Sequence, residues 1–456
     1  MRSYNRMFVG ILLAGAALAG SPAAGGLKIG VGRTVITPPL DVPMAGYYYP
    51  RSADGVHDDL HASTLLFDDG RTRVALVACE LVHVTREAVE AAREKIHAKW
   101  GIPASHVLIS ATHSHTGPIV SSPEYMRMLG TWIADSVTTA EGRKCPARLF
   151  TAVEKEASIA HYRRYLMKDG SVRTNPWIVP NAPPDFVNPD VVRPIGATDP
   201  DVGVLYAEDD SRAPLVTWVN YAMHQDTVGG TWISADYAYY LGRFLSNFKG
   251  PDMPTVFTIG AAGNINHYDI RRPGPQRGPE TARRFGEVLG SAVTKAYTHM
   301  EGVSNPEVRA ISETISLPLA KITAQEVEES RKLLAQPPPP NLDFTIERVQ
   351  AAKVLAVHKR NGQPVRAEIQ VIAVGPVAFV GIPGELFVEL GQRIKKTSPF
   401  RYTFIVELAN DSIGYIPTRE AYAEGSYEPT STSLAAGAGE QIADTAARLL
   451  KRLAQP

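Results

Sequence analysis

Two cysteines in 456 residues are too few for a disulfide scaffold. Cys79 falls inside the apolar run "VALVACELV", and neither it nor Cys145 has the spacing of a zinc site. A single bridge and a buried free thiol both remain open for them. A surplus of one charge is also missing: 47 basic side chains balance 47 acidic ones. That argues against nucleic acid as a partner and against a broad polybasic membrane surface. After the N-terminus no apolar run reaches the ~20 residues of a membrane span. No internal repeat is visible either, which removes solenoids and propellers.

At the N-terminus, Arg2 and Arg6 precede Met7–Gly20, an apolar stretch too short to span a bilayer, and small residues follow in "SPAAGG". This is the pattern of a secretory signal peptide cleaved between Ala19 and Gly26; a membrane anchor is the alternative that its length disfavours. Residues 1–26 are therefore set apart, and the protein is expected to be secreted or periplasmic. The remaining stretch, 27–456, is long enough for one large domain or two lobes.

Along it, apolar strand runs alternate with helical patterns. "RVALVACELV" reads as a buried strand, followed by a helix capped by Thr85. "HVLISATHS" is another strand, then the helix "EYMRMLGTWIADSVTTAEGRK". A strand-rich section from Pro146 to His224 leads to the helix "ADYAYYLGRFLSNF", the strand "TVFTIGAAG" and a helix over Glu280–Met300. The rhythm predicts an α/β protein of layered mixed β-sheets flanked by helices, with its site on strand-end loops. "AQPPPPN", 335–341, cannot continue a helix and joins two helical patterns. It reads as the turn of a helical hairpin inserted before the last strands.

Polar, metal-capable residues collect where strands end. They are His113 and His115 in "SATHSHTGP", His224 and Asp226 in "VNYAMHQDTVGG", Glu385 in "VGIPGELF", and Tyr415, Tyr422 and Tyr427 in "LANDSIGYIPTREAYAEGSYE". Loops after strand ends are where layered α/β proteins bind ligands. Period-2 geometry would put His113 and His115 on one face if the strand runs that far. Imidazole is the commonest zinc ligand. Each residue also has an ordinary reading. A histidine at a strand end is commonly hydrogen-bonded, and a glutamate before a helix meets the helix dipole.

Taken in order, "IGVGRTVITPPLDVPMAGY", "GVHDDLHAST", "SATHSHTGP", "NYAMH", "GAAGNIN", "IPGELF" and "LANDSIGYIPTREAY" resemble the catalytic domain of the neutral/alkaline, non-lysosomal ceramidases. The resemblance implies an αββα-like fold and a zinc amidase that splits an N-acyl bond, with one Zn2+ per chain. It implies His113, His224, Glu385 and Tyr415 as metal ligands. It implies His115 and Tyr427 as residues lining the site, with His115 moving the proton to the leaving amine and Tyr427 donating to the oxyanion. The implied substrate is a lipid or small-molecule N-acyl compound, within sphingolipid metabolism if it is ceramide, and peripheral membrane contact stays open. Asp226 and Asp236 either orient a zinc histidine or serve loop and cap duty.

Two departures bear on the substrate. The family carries a serine in a Gly-(Asp/Asn)-x-Ser-Pro-Asn segment; here "GNINHYD" puts Asn266 at the serine and His267 at the proline. An amide cannot form an acyl-enzyme, which favours water as the nucleophile and leaves Asn266 to bind an oxyanion or a polar substrate group. The family's immunoglobulin-like C-terminal domain is expected to be absent, which favours a soluble amide or ester. Arg163, Arg164 and Arg173 in "HYRRYLMKDGSVRTNP", and Arg271 and Arg272, read as carboxylate clamps or as plain surface arginines. Arg164, His267 and His57 are the expected substrate contacts. An ester hydrolase and a non-catalytic binding protein are the competing functions. N-terminal sequencing of the exported protein is expected to show cleavage between Ala19 and Gly26; a mature protein starting at Met1 would rule out the signal peptide.

Overall fold

The strand "RVALVAC" has no polar face, and such a run is stable only when covered on both sides. Arg73–Cys79 is buried along nearly its whole length, as are Val107–Ala111 and Val377–Gly381. The computed structural model describes residues 26–120, 122–177, 186–304, 306–337 and 345–455. The expected signal peptide, apart from Gly26, and Pro338–Asn341 of the Pro-rich turn lie outside these residues.

Two mixed sheets supply the covers. In the larger the strands run in the order Thr255–Ile259, Pro214–Tyr221, Asp201–Asp209, Cys145–Lys155, Lys28–Val35, His61–Asp68, Arg73–Cys79, Val107–Ala111. Its two outermost pairs are parallel and the inner ones antiparallel. The smaller sheet runs Val308–Leu317, Val365–Val374, Val377–Gly381, Tyr402–Val406. Leu65, Phe67, Leu76, Leu205 and Trp218 of the first pack on Ile372, Val374, Phe379 and Phe404 of the second. Trp218 meets Phe379 edge to face at a ring separation of 5.0 Å and the tilted ring of Phe404 at 5.2 Å.

Helices cover the outer faces. Arg86–Trp100, Pro123–Arg143, Tyr237–Lys249 and Pro279–Ala296 lie over the larger sheet, and Val388–Thr397 and Ala438–Leu453 over the smaller. The layers are therefore helix, sheet, sheet, helix, as the alternating pattern led one to expect. Thr85 does cap its helix, accepting from the Ala88 amide, and Gly101 ends it in the left-handed region. Among the described residues no helix is long and apolar enough to cross a membrane. Both cysteines are free thiols, Cys79 buried and Cys145 partly so, which decides between the bridge and the thiol.

The helical hairpin is also present, as Ala324–Ala335 and Ile346–Lys359. It is inserted between two strands that pair along their whole length, from Val308 with Val374 to Leu317 with Val365. Its second helix packs on the short helix Tyr427–Ser431. Because Trp218 fills the space between the sheets, Trp218→Ala is expected to lower stability by about 3–5 kcal/mol. A urea melt reads this as a lower midpoint at unchanged slope.

Candidate metal centre

Strand ends bring the polar residues together, though not by strand periodicity. The strand carrying "VLISA" stops at Ala111, and His113 takes a left-handed backbone with φ of 73°. A residue with a side chain holds that conformation at a cost of roughly 1–3 kcal/mol, the kind of strain that surrounding structure must impose. The loop is pinned instead by a parallel bridge between Ser114 and Gln225 and by the His115 amide, 2.9 Å from the Gln225 carbonyl. That bridge sets His113 and His115 beside His224, and the three rings lie 4.5 to 5.8 Å apart. Glu385 arrives on a two-residue strand, Glu385–Leu386, paired with Tyr415–Ile416. Glu385 and Tyr415 are direct partners in that register. Gly263 lies beneath, where a Cβ would come within 2.4 Å of the Glu385 carbonyl oxygen, so only glycine fits there.

Glu385 Oε2 lies 3.4 Å from His113 Nε2 and 3.3 Å from His224 Nε2. The His113 Nδ1–H donates to the Val82 carbonyl at 2.8 Å, leaving a bare lone pair on Nε2. His115 Nε2 faces the same point, 3.3 Å from His113 Nε2. Glu385 Oε2 is buried and has no hydrogen-bond partner among the described residues. Lone pairs of nitrogen and carboxylate aimed at one another in a buried site call for a cation between them. The ligand nitrogens of His113, His115 and His224 lie within 4.8 Å of one another, and this group could hold a metal ion. Two imidazoles, a carboxylate and a nearby phenol are donors that suit zinc. The residues therefore fit the metal.

The surroundings hold His224 and Glu385 in the ligating state and keep the Tyr415 phenol protonated. Burial first, then the Arg163 charge, push His224 down to about 3, so its ring is neutral. Burial works to raise Glu385, but His113 and His224 outweigh it and hold the carboxyl well below its ordinary range. Burial first, with Glu385 adding to it, raises the Tyr415 phenol well above its ordinary value. Arg163 is enclosed here. Its Nη1 is 3.2 Å from His224 Nε2, its Nε is 2.9 Å from Glu428, and its guanidinium lies 5.3 Å from the Tyr415 ring centre. Tyr427 stands beside Tyr415 at a ring separation of 5.3 Å. The preceding Ser426 has φ of 73°, again in the left-handed region.

The expected substrate contacts sit differently. Arg164 is wholly enclosed, with Glu428 at 2.8 Å and Glu424 at 2.9 Å, so its charge is committed inside the protein and no face is left for a ligand. His57 is exposed and packs on Trp232, with ring centres 4.7 Å apart, and none of its described contacts reaches the histidine cluster. His267 is buried against Tyr268, and burial is the main cause that lowers it to about 3. Asn266 gives its amide to Asn175 Oδ1 and accepts from the Tyr268 amide, both at 3.1 Å, so its side chain holds the loop. Arg173 and Arg271 are surface partners of Asp169 and Asp269. Asp236 proves to be a cap, accepting from Thr227, Val228 and Tyr237 amides. Asp226 alone of the two faces the cluster, its Oδ1 3.9 Å from His115 Nδ1.

Glu407, Tyr47 and Tyr48 were not singled out from sequence, and Arg163 reads there only as a carboxylate clamp or a surface arginine. Arg163 looks in sequence like its neighbour. Glu407 is a buried acid accepting from the Leu386 amide at 2.8 Å and the Ala262 amide at 3.2 Å, which fixes the backbone beside Glu385. The tyrosines of "AGYYYP" close the other side, Tyr47 bonding Asp226 and Tyr48 bonding Tyr427.

No protein-family model matches the chain. Among solved structures, neutral ceramidase from Pseudomonas aeruginosa superposes with a TM-score of 0.72 at 19% identity, over 94% of this chain and 75% of that one. The chain has the neutral ceramidase fold. A structure described as a ceramidase complexed with C2 gives 0.71 at 19% identity, over 94% of this chain and 76% of that one. The resemblance carried by the strand-end motifs is thus borne out as a shared ceramidase fold. Glu385→Gln and His113→Ala are expected to drop the divalent metal content of purified protein from about one per chain to near zero while circular dichroism stays unchanged. Full metal occupancy in either variant would overturn this centre.

Proposed function

We propose that the protein is an exported zinc-dependent hydrolase that cuts the amide bond of an N-acyl substrate. The observation that carries this reading is the convergence of His113, His224 and Glu385 on one buried point, with Tyr415 in register beside it. The shared fold with ceramidases supports the bond type, and the sequence of residues 7–26 supports export.

A divalent ion in this site supplies Lewis acidity and makes a bound water acidic enough to react near neutral pH. The chain's residues do the rest. Val82 holds His113 in one tautomer. His115, whose Nε2 opens onto the same point, receives a proton and returns it to the leaving nitrogen. Burial and the neighbouring His113 keep His115 well below its ordinary pKa, so it starts as a neutral base. Burial raises Tyr427 well above its ordinary pKa, and it stays a protonated phenol able to donate to a developing oxyanion. Arg163, paired with Glu428, holds His224 and the Tyr415 ring in place. Asn266, tied to Asn175 and Tyr268, offers no nucleophile, which leaves water to attack.

The test is a panel of N-acyl sphingoid bases, soluble N-acyl amines and acyl esters with zinc-loaded protein. Amide turnover that a chelator abolishes and zinc restores is expected, with Tyr427→Phe lowering kcat by ~10²–10³. Turnover confined to esters would move the assignment to an esterase. Zinc binding with no turnover of any substrate would make the protein a binding member of the fold.

A further inference from the structure

The sequence "DVPMAGYYYPRSA" forms a hairpin against the wall of the metal centre that carries Asp226. Its arms are closed by Asp41 N to Ala53 O at 2.8 Å and Met44 N to Arg51 O at 2.9 Å. Tyr47 at its tip donates to Asp226 Oδ1 and sets its ring edge on His115 at 5.8 Å. Asp226 Oδ1 lies 3.9 Å from His115 Nδ1, and Asp226 Oδ2 accepts from Arg277 Nη2 at 2.5 Å. Arg277 therefore stands one carboxylate's width farther out than His115. Side-chain exposure rises along this line, from 14% at His115 and 17% at Asp226 to 38% at Arg277, so the arginine is on the rim. Rings hold its guanidinium there, 5.2 Å from the Tyr47 ring centre and 5.7 Å from that of Tyr268. Tyr49 stacks on Tyr47 at 5.4 Å, and Trp177 stacks on Tyr268 at 4.7 Å. Asp226 occupies only Nη2; the Nε and Nη1 hydrogens meet no acceptor among the described residues. The wall also carries an unbalanced charge. Arg51, 4.1 Å from the Tyr47 ring centre, is buried and donates only to the carbonyls of Ala45, His115 and Gly230. Asp226 thus faces two guanidiniums, and one positive charge is left over beside the histidine cluster.

We propose that Arg277 determines specificity at this active site by taking a carboxylate on the amine part of the substrate, which makes the substrate an N-acyl amino acid. The inference rests on the hydrolase reading above and deepens it by naming the substrate class. In an N-acyl amino acid the carboxylate carbon is two bonds from the amide nitrogen. With that amide at the point His115 faces, so short a group ends on the adjoining wall, where Arg277 waits. The free N–H groups can donate to it while Nη2 stays on Asp226, and hydrogen bonds between two charged groups are the strong ones. The stacked rings fix the guanidinium beforehand, so binding sacrifices little side-chain freedom. The left-over charge selects the kind of anion. It matches one carboxylate, whereas a doubly charged phosphate would also be repelled by Asp226. The amine part of ceramide carries hydroxyls and no negative charge, and gives Arg277 nothing to neutralise.

The test compares N-dodecanoylglycine with N-dodecanoylglycinamide, which carry a carboxylate and a neutral amide at the same place. With zinc-loaded protein and dodecanoate release as the readout, kcat/KM is expected to favour the acid about 10–100-fold, as for hydrogen bonds to a charged group. Arg277→Gln should lower that preference about 10-fold or more, and Arg277→Lys, which keeps the charge and loses the planar fork, should fall between. A merely structural role for Arg277 would depress both compounds alike and leave their ratio where it was. A second readout is calorimetric affinity for the same two compounds in zinc-depleted protein, where the metal cannot take the carboxylate. The acid should bind about 10-fold tighter than the amide in the wild type and lose that advantage in Arg277→Gln. No preference for the acid in the wild type, or a preference that survives Arg277→Gln, would overturn the role of Arg277. Failure to release dodecanoate from either compound, or to cut any other amide, would remove the hydrolase reading, and the calorimetric comparison would then decide the carboxylate site by itself.

Discussion

A carboxylate oxygen with no proton donor to meet it is the constraint on which the centre depends. Glu385 Oε2 faces two imidazole nitrogens at hydrogen-bond range, and one of them has its proton committed elsewhere, to Val82. Buried polar atoms are almost always satisfied. An arrangement that leaves them pointing at each other suits a cation between them. The left-handed backbone at His113, the glycine under Glu385 and the paired strand beside Tyr415 all serve to keep that arrangement in place.

The rest of the fold explains how ligands from distant parts of the chain arrive together. Two sheets clamp a dry layer around Trp218 and Phe379, and short strand extensions leave its end. One extension pairs Ser114 with Gln225, another Glu385 with Tyr415. Backbone pairing thus fixes which of these residues stand opposite one another. The Arg163 and Arg164 pair adds a lock. Glu428 takes a bond from each, and Thr174 bonds it too, so the segment bearing Tyr427 is held by buried charges. Removing one partner of such a buried pair strands the other, which is why this lock is rigid.

Much of this was legible in the sequence, for unequal reasons. The alternation of apolar runs and helical patterns gave the layers, because a strand without a polar face can only be internal. Thr85 and the prolines at 337–340 marked boundaries through local chemistry. The site was legible only through the joint motifs. His113 and His115 come together by a strained turn and a bridge to Gln225, not by the strand periodicity that first suggested it. Spacing could not separate Arg163 from Arg164, since the first falls in the one-residue gap between two short strands and the second opens the next strand. Nor could it separate Asp226 from Asp236, which differ only in what lies across from them. Tyr48 was hidden in a run of three tyrosines, where nothing but the hairpin geometry tells one from the next.

The helical insertion has a consequence beyond its own packing. Its ends leave and re-enter at Leu317 and Val365, which are already neighbours, so chain length there is almost free to vary. Yet its second helix leans on Tyr427–Ser431, one contact away from the site. A part of the molecule that can be remodelled cheaply is thus mechanically connected to the wall beside the histidine cluster. Lineages and protein engineers alike can retune that wall there without disturbing the sheets.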